Sequence, residues 1–350
     1  MPRIPNYIAD CSIYLYESEE AADKGSNSGG SGFLAHRPSE IRGGYIHLYA
    51  VTNRHVIDDG FTVLRLNRKE GGTDNITTNP EDWISHPSGD DVVVFPIDLG
   101  ERFKWWSVGT QAFVTHEIIE TYRIGYGDEA FLVGRLVTHA GQQKNSPVIR
   151  FGNVALMAEP ITYKKRQQEA FLVECRSLSG FSGSPVFVMT TQFYSGEDVN
   201  KIRAARTQEL GWEREQTGEV PEELSNPQSK PVFIDGTFGP WLLGIDFGHI
   251  PMWEHVYKKD KKTETEFQVP ANTGIAGVIP AWRILEVLNV PKLMKQRARE
   301  DRKLRKRLVH EESVVPDSAQ ERVFTRQKFE LALQQASRKL PSSRSDEGKK

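Results

Sequence analysis

The stretch GFSGSP, residues 180–185, follows the apolar run AFLV at residues 170–173. Its third residue, Ser182, has one glycine two positions earlier and another directly after it. Glycines let the backbone turn tightly and leave a serine hydroxyl uncovered, and the N–H groups around such a turn can converge on an oxyanion. Gly, Ser and Pro are also ordinary turn residues, so the stretch alone is equally consistent with a plain turn before a strand.

Two upstream segments favour the first interpretation. The segment TNRHV, residues 52–56, places His55 just after an apolar strand from Tyr45 to Val51. The segment DVVVF, residues 91–95, places Asp91 at the head of another strand. The chain order His, Asp, Ser is that of chymotrypsin-like enzymes, whereas α/β-hydrolases and subtilisins use other orders. The G-x-S-x-G pattern of hydrolases is also missing around Ser182.

On these residues the chain resembles the trypsin-like (chymotrypsin-fold) serine peptidase superfamily, in its HtrA-like, non-zymogen branch. The non-zymogen branch is indicated because Phe181 stands where trypsin-like zymogens carry an aspartate. The resemblance spans roughly residues 25–285. Its matching segments are GSGFL (30–34), TNRHV (52–56), DVVV (91–94), GFSGSP (180–185), LLGI (242–245) and GIAGVIP (274–280).

The apolar runs are short and rich in Val, Ile, Phe and Tyr, a pattern that predicts an all-β fold. The resemblance implies two six-stranded antiparallel β-barrels, with the site in the cleft between them, followed by a C-terminal helix and a polar, partly disordered tail. We place the first barrel, which carries His55 and Asp91, at residues 1–110. The second barrel, which carries Ser182, is placed at residues 111–285.

Three segments fall outside this barrel pattern. Residues 195–230 form a polar insertion in the second barrel, for which a solvated loop and a substrate-shaping role both stay open. Residues 286–310 predict a basic helix. Residues 311–350 predict a flexible tail with one short amphipathic helix, which is a candidate contact for a partner protein.

Composition limits the partners and the location. The formal net charge is −2 and no long apolar run is present, so we expect neither a nucleic-acid partner nor a membrane. The basic run at 292–307 lacks interleaved aromatic residues and is interpreted as a solvated helix end. The chain has two cysteines, Cys11 and Cys175, which favours a reducing, cytoplasmic setting. We find no metal-ligand spacing and no nucleotide-binding glycine pattern, and therefore expect no metal and no cofactor.

Each candidate residue has a role implied by the resemblance. Ser182 is the nucleophile, and it needs a base because a serine hydroxyl is a weak nucleophile at neutral pH. His55 is that base, and Asp91 holds its imidazole in the required tautomer. Asp90, one position away, is the rival for this aspartate. The N–H groups of Gly180 and Ser182 form the oxyanion hole.

Substrate specificity is the property that the sequence predicts least well. Position matching puts Arg176 and Ser177 near the base of the primary specificity pocket and Asp246 on its wall. An exposed Asp246 would favour a basic substrate side chain, and an exposed Arg176 an acidic one. The third reading, which we prefer, is that the two charges pair with each other or face solvent.

The leading hypothesis is a serine endopeptidase that hydrolyses peptide bonds of a polypeptide substrate through an acyl-enzyme. The alternative is a catalytically idle, protease-like barrel that binds peptides or partner proteins. A third hypothesis is a DNA-associated scaffold that uses the basic helix, and it predicts steeply salt-dependent binding.

Overall fold

The computed structural model describes residues 3–26, 28–41, 44–135, 144–163, 166–175, 180–190, 238–257 and 264–314. The chain forms two compact units, Met1–Ala298 and Arg299–Lys350. Both sheets and the candidate site belong to the first unit. No helix in these described ranges is both long and apolar enough to cross a membrane.

An eight-stranded sheet opens the first unit, in the order β5-β4-β1-β2-β3-β7-β6, with β8 added in parallel beside β2. The two strands that flank β2, β1 and β3, are mostly apolar because they are covered on both faces. All five residues of β1 and six of the seven residues of β3 are buried. The strands are β1 Ser12–Tyr16, β2 Ser28–Pro38, β3 Ile46–Thr52, β4 Val63–Asn67, β5 Thr73–Thr77, β6 Ile84–Ser85, β7 Val93–Pro96 and β8 Val108–Gly109.

A second sheet of six strands closes on itself. Each strand pairs with two neighbours in the ring β10-β11-β14-β13-β12-β9, and every pair is antiparallel. Two long hairpins, β10–β11 and β13–β14, contribute most of the residues of this sheet. The strands are β9 Glu129–Gly134, β10 Val148–Tyr163, β11 Arg166–Glu174, β12 Pro185–Thr190, β13 Phe238–Tyr257 and β14 Glu264–Pro280.

The prediction of two six-stranded barrels therefore holds in part. The fold is mostly antiparallel β and the second sheet has six strands, but the first has eight. The end strands of its path, β5 and β6, do not pair with each other in the described part of the chain, so closure is not seen there. The prediction miscounted because β6 and β8 have two residues each, and β5 reads TDNIT, without an apolar alternation.

One apolar core runs from the first sheet into the second. A single cluster of buried side chains includes Val51 and Val94 of the first sheet, Phe187 and Ile245 of the second, and Ile284. Because the two sheets share this core, residues at their junction are fixed by packing from both sides. The candidate site lies at that junction.

Among the described residues before the C-terminal region, the helices are short. α1 (Glu19–Lys24) begins at Ser18, whose hydroxyl accepts a hydrogen bond from the N–H of Ala21 at 3.1 Å. α2 (Arg54–Asp58) follows directly after β3, and α3 (His116–Tyr122) lies in the chain between the two sheets. Short 3-10 helices cover Asn6–Cys11, Pro80–Asp82 and Thr110–Ala112.

Two helices stand where one basic helix over residues 286–310 was predicted. α4 (Ala281–Leu288) is buried along one face, and α5 (Pro291–Val314) carries the basic run. The break falls just before Pro291, because proline disfavours a helical conformation in the residue that precedes it. The whole of the 195–230 insertion and the tail beyond residue 314 lie outside the described residues.

Candidate active site

His55 and Asp91 are brought together by the ends of two neighbouring strands. β3 ends at Thr52, and α2 places His55 in its first turn, while Asp91 lies two residues before β7, which pairs with β3. The Nδ1–H of His55 donates to Oδ2 of Asp91 at 2.6 Å, and the backbone N–H of His55 donates to Oδ1 at 2.9 Å. One carboxylate thus fixes both the ring and the backbone of the histidine.

Asp90, the alternative to Asp91, contacts other residues than His55. Oδ2 of Asp90 lies 3.1 Å from Nε of Arg283 on α4 and 3.6 Å from Nδ1 of His86. The peptide carbonyl of Asp91 accepts a hydrogen bond from the side chain of Asn53 at 2.8 Å, which further holds its loop beside α2. The geometry pairs His55 with Asp91 and not with Asp90.

Ser182 lies on a turn whose two glycines have left-handed backbone conformations. The φ angles are +93° at Gly180 and +89° at Gly183, values that residues with a side chain rarely adopt. A Cβ on Gly183 would also collide with the carbonyl oxygen of Ser31 and the hydroxyl of Thr52, both in the first sheet. The backbone conformation of the turn therefore favours glycine at positions 180 and 183.

Hydrogen bonds from both sheets hold this turn. The N–H of Gly183 donates to the carbonyl of Asp246 on β13 at 2.8 Å. From the other side, the N–H of Ser31 on β2 donates to the carbonyl of Ser182 at 2.8 Å, and its hydroxyl donates to the carbonyl of Gly180 at 2.8 Å. The turn is consequently positioned against the strands that lead to His55.

The backbone of Ser182 lies close to the start of α2. A Cβ on Gly30 would lie 2.8 Å from the Ser182 carbonyl oxygen and 3.0 Å from a methyl of Val56, the neighbour of His55. Ser182 is half-buried, and within the described ranges its hydroxyl has no hydrogen-bond partner. Oγ of Ser182 and Nε2 of His55 therefore do not form a hydrogen bond with each other. Such catalytic hydrogen bonds are often long before substrate binds.

The two predicted oxyanion donors are also without an acceptor in the described part of the chain. No bond uses the N–H of Gly180 or of Ser182, whereas the N–H of Gly183 is occupied by Asp246. Phe181, between them, is fully buried, so it anchors the turn by apolar packing. Donors fixed in this way need little reorganisation when an oxyanion forms.

Asp246 does not face solvent, which was one of the alternatives considered for it. Its side chain is buried with no exposed area, and Oδ1 accepts a hydrogen bond from the N–H of Gly248 at 3.2 Å. Burial, and secondly the charge of Asp246, raises the pKa of the Cys175 thiol to about 11. Arg176 and Ser177 lie outside the described residues, so their place in a pocket stays a prediction.

Sequence reasoning missed the residues that hold the turn. Ser31 and Thr52 lie within segments quoted for the resemblance, but their roles depend on contacts across the two sheets. The hydroxyl of Thr52 donates to the carbonyl of Ser31 at 2.8 Å, which links β3 to β2 beneath Gly183. The available signal was the small-residue run GGSG at 29–32, which allows close approach of another chain segment.

Comparison with known proteins gives a likeness of fold. No protein-family model and no curated protein matches the sequence. The MamO protease domain of Magnetospirillum magneticum is similar with 12% identity and a TM-score of 0.42, over 81% of this chain and 99% of that one. The HtrA-type protease AlgW, solved with a tripeptide, has 14% identity and a TM-score of 0.35, over 81% of this chain and 64% of that one.

A third similar structure is an inactive serine-to-alanine mutant of Rv3671c from M. tuberculosis, at 10% identity and a TM-score of 0.39, over 80% of this chain and 85% of that one. At such identities and TM-scores the likeness concerns the fold alone. Roles of individual residues rest on the contacts described above.

Proposed function

We propose that this protein is a serine endopeptidase whose triad is His55, Asp91 and Ser182. The observation that carries the proposal is the double contact of the Asp91 carboxylate with the ring and backbone of His55, at 2.6 and 2.9 Å. A carboxylate so placed sets the proton on Nδ1 and leaves Nε2 free to act as a base. The glycine-flanked turn of Ser182 then supports acyl transfer as the reaction.

In the proposed mechanism, Oγ of Ser182 attacks the carbonyl carbon of the scissile peptide while Nε2 of His55 takes the hydroxyl proton. The resulting oxyanion is stabilised by the N–H groups of Gly180 and Ser182. His55 then returns the proton to the leaving amine, so the C–N bond breaks and an acyl-enzyme remains. Water attacks this ester with the same base, which releases the acid and restores Ser182.

The substrate class in this proposal is a polypeptide. The scheme uses side chains and backbone groups of the chain itself, and its residues span both sheets. The cytoplasmic location stays a prediction, based on the small number of cysteines. Both cysteines, Cys11 and Cys175, are free and buried.

Labelling with a fluorophosphonate tests the proposal. The probe is expected to modify Ser182, and Ser182→Ala is expected to remain unlabelled while still folded. Ser184→Ala is the matched control, because Ser184 lies on the same turn but is fully buried, and it should label like the parent. Labelling of Ser182→Ala at the parental rate would exclude Ser182, and no labelling of a folded parent that still binds peptides would favour the idle barrel.

A further inference from the structure

Ser31 lies at the centre of the contacts beneath the Ser182 turn (residues 180–185). It is fully buried on β2, and both its N–H and its hydroxyl reach carbonyl oxygens of the turn. The N–H donates to the carbonyl of Ser182 and the hydroxyl to the carbonyl of Gly180, each at 2.8 Å. One residue of the first sheet thus holds the turn on both sides of Phe181.

The direction of the hydroxyl bond is fixed by a second contact. The backbone N–H of Arg135, the residue that follows β9, donates to Oγ of Ser31 at 3.0 Å. An N–H group can only donate, so Oγ is the acceptor there and its single proton is left for the carbonyl of Gly180. The hydroxyl therefore joins a backbone donor of one sheet to a backbone acceptor of the turn. An apolar side chain at this position would leave both buried groups unsatisfied.

The carbonyl that the hydroxyl holds belongs to the peptide unit between Gly180 and Phe181. The two predicted oxyanion donors, the N–H groups of Gly180 and Ser182, belong to the peptide units on either side of it. Gly180 has a φ of +93° and no Cβ, so local steric repulsion constrains the orientation of the central unit only weakly. The hydrogen bond from Ser31 supplies the constraint that the glycine lacks, and the buried ring of Phe181 fixes the other end of the unit.

Ser31 also connects the turn to the strand that leads to His55. Its carbonyl accepts a hydrogen bond from the hydroxyl of Thr52, the last residue of β3, at 2.8 Å. The same carbonyl oxygen is the atom that a Cβ on Gly183 would meet. Ser31 therefore contacts both the turn that carries the proposed nucleophile and the strand that precedes the proposed base.

We propose that Ser31 is a positioning residue for the oxyanion hole. Its hydroxyl sets the orientation of the peptide unit between Gly180 and Phe181, and through this unit it sets the angle between the N–H groups of Gly180 and Ser182. Because Ser31 is fully buried, it acts through the turn and not on the substrate. The proposal rests on the proposed function, and the experiments below distinguish the failure of one from the failure of the other.

The rate at which a fluorophosphonate labels Ser182 tests this role, because phosphonylation develops negative charge on an oxygen. A misplacement of about 1 Å can cost about 100-fold in rate, so we expect Ser31→Ala to be labelled about 10- to 100-fold more slowly than the parent. Ser184→Ala is the matched control, since Ser184 is also fully buried at the turn but its hydroxyl has no hydrogen-bond partner among the described residues. It should label like the parent. Equal rates for the parent and Ser31→Ala, at a temperature where both are folded, would overturn the proposal.

Two reagents separate the loss of oxyanion geometry from a general loss of structure. In the Ser182→Cys background, p-nitrophenyl acetate acylates the new thiol through a tetrahedral oxyanion, whereas iodoacetamide alkylates it by displacement of iodide without an oxyanion. Adding Ser31→Ala should slow the acylation by about 10-fold or more and leave the alkylation unchanged. Peptide mapping follows position 182 alone, apart from the buried Cys11 and Cys175. An equal loss in both reactions would assign Ser31 to folding in general and contradict the proposal.

Hydrogen exchange of the full chain tests the same contact without any reaction. The N–H groups of Gly183 and Ser184 are bonded to the carbonyls of Asp246 and Phe181, so they report on the order of the turn. Ser31→Ala should speed their exchange by about 10-fold, the effect of one lost hydrogen bond. Unchanged exchange would contradict the proposal. Absence of labelling in a folded parent would contradict the proposed function instead, and exchange would still decide whether Ser31 positions the turn.

Discussion

At the scale of single residues, the site depends on which of two adjacent carboxylates contacts His55. Asp91 bonds to the imidazole, whereas Asp90 is 10% exposed and lies against Arg283 on α4. The chain bends at Asp91, where the N–H of Val92 donates to the carbonyl of Asp90 at 2.8 Å, so the two neighbouring side chains have different partners. Neutralising the two carboxylates should therefore have different effects, on activity for Asp91 and on stability for Asp90.

For Asp91→Asn we expect kcat/KM for a peptide to fall by about 10³–10⁴, because the amide no longer sets the tautomer of His55. For Asp90→Asn we expect kcat/KM within a few-fold of the parent, with a loss of roughly 1–3 kcal/mol in the free energy of unfolding since Arg283 loses a charged partner. Peptide cleavage and urea denaturation measure the two effects. The reverse ranking in kcat/KM would reassign the aspartate.

Gly183→Ala is expected to abolish labelling of Ser182 by a fluorophosphonate and to lower Tm. The added methyl group meets the carbonyl of Ser31, and the φ of +89° is unfavourable for alanine. Gly60→Ala is the matched control, because Gly60 has a φ of +91° with nothing near its absent Cβ. Gly60→Ala should lose stability by backbone strain alone and keep labelling. Equal labelling of the two variants would show that the contact with Ser31 does not hold the turn.

At the scale of elements, strands were predictable where burial dictates their composition. β1, β3 and β12 are mostly apolar, and the strand predicted from Tyr45 to Val51 agrees with β3 to within one residue at each end. β5 and β8 were not predicted, because their pairing is imposed by neighbouring strands and leaves little trace in a polar or very short segment. The outer parts of the β13–β14 hairpin were missed for the same reason, since residues such as Trp253 and Phe267 are exposed there.

The attachment of β8 to β2 should depend on pH. His36 of β2 is hydrogen-bonded to the hydroxyl of Ser107 at 2.8 Å, and burial lowers its pKa, which a hydrogen bond with the backbone of Ser107 partly opposes. In the unfolded chain the imidazole regains an ordinary pKa of about 6.5. The unfolded chain then binds more protons, so stability present above pH 6.5 is lost as the pH falls through the lower folded value.

Urea denaturation of His36→Gln between pH 8 and pH 5 measures this contribution. Glutamine can still bond to Ser107 but does not titrate, so the variant should lose less stability than the parent on acidification. His255→Gln, at an exposed position, should follow the parent. Parallel curves for the parent and His36→Gln would rule out His36 as the source.

At the scale of the whole molecule, the resemblance to trypsin-like peptidases implied two β-sheets with the candidate site between them, and the structure has two mainly antiparallel sheets. The contacts that join the sheets could not be predicted, since they pair residues far apart in sequence, such as Ser31 with Gly180. A network of charges adds a further link: Arg283 of α4 lies 3.1 Å from Asp90 and 3.0 Å from Glu169 of β11.

The clamping of the Ser182 turn by atoms of both sheets has a consequence during protein synthesis. A ribosome releases the first sheet before Ser182 emerges, and Asp246, which bonds to Gly183, is translated 64 residues after Ser182. The turn therefore lacks part of its support until β13 has been made and has docked. For the proposed hydrolase, this order delays the maturation of the nucleophile until β13 has been translated and has paired, which would spare nascent polypeptides in the same polysome from premature cleavage.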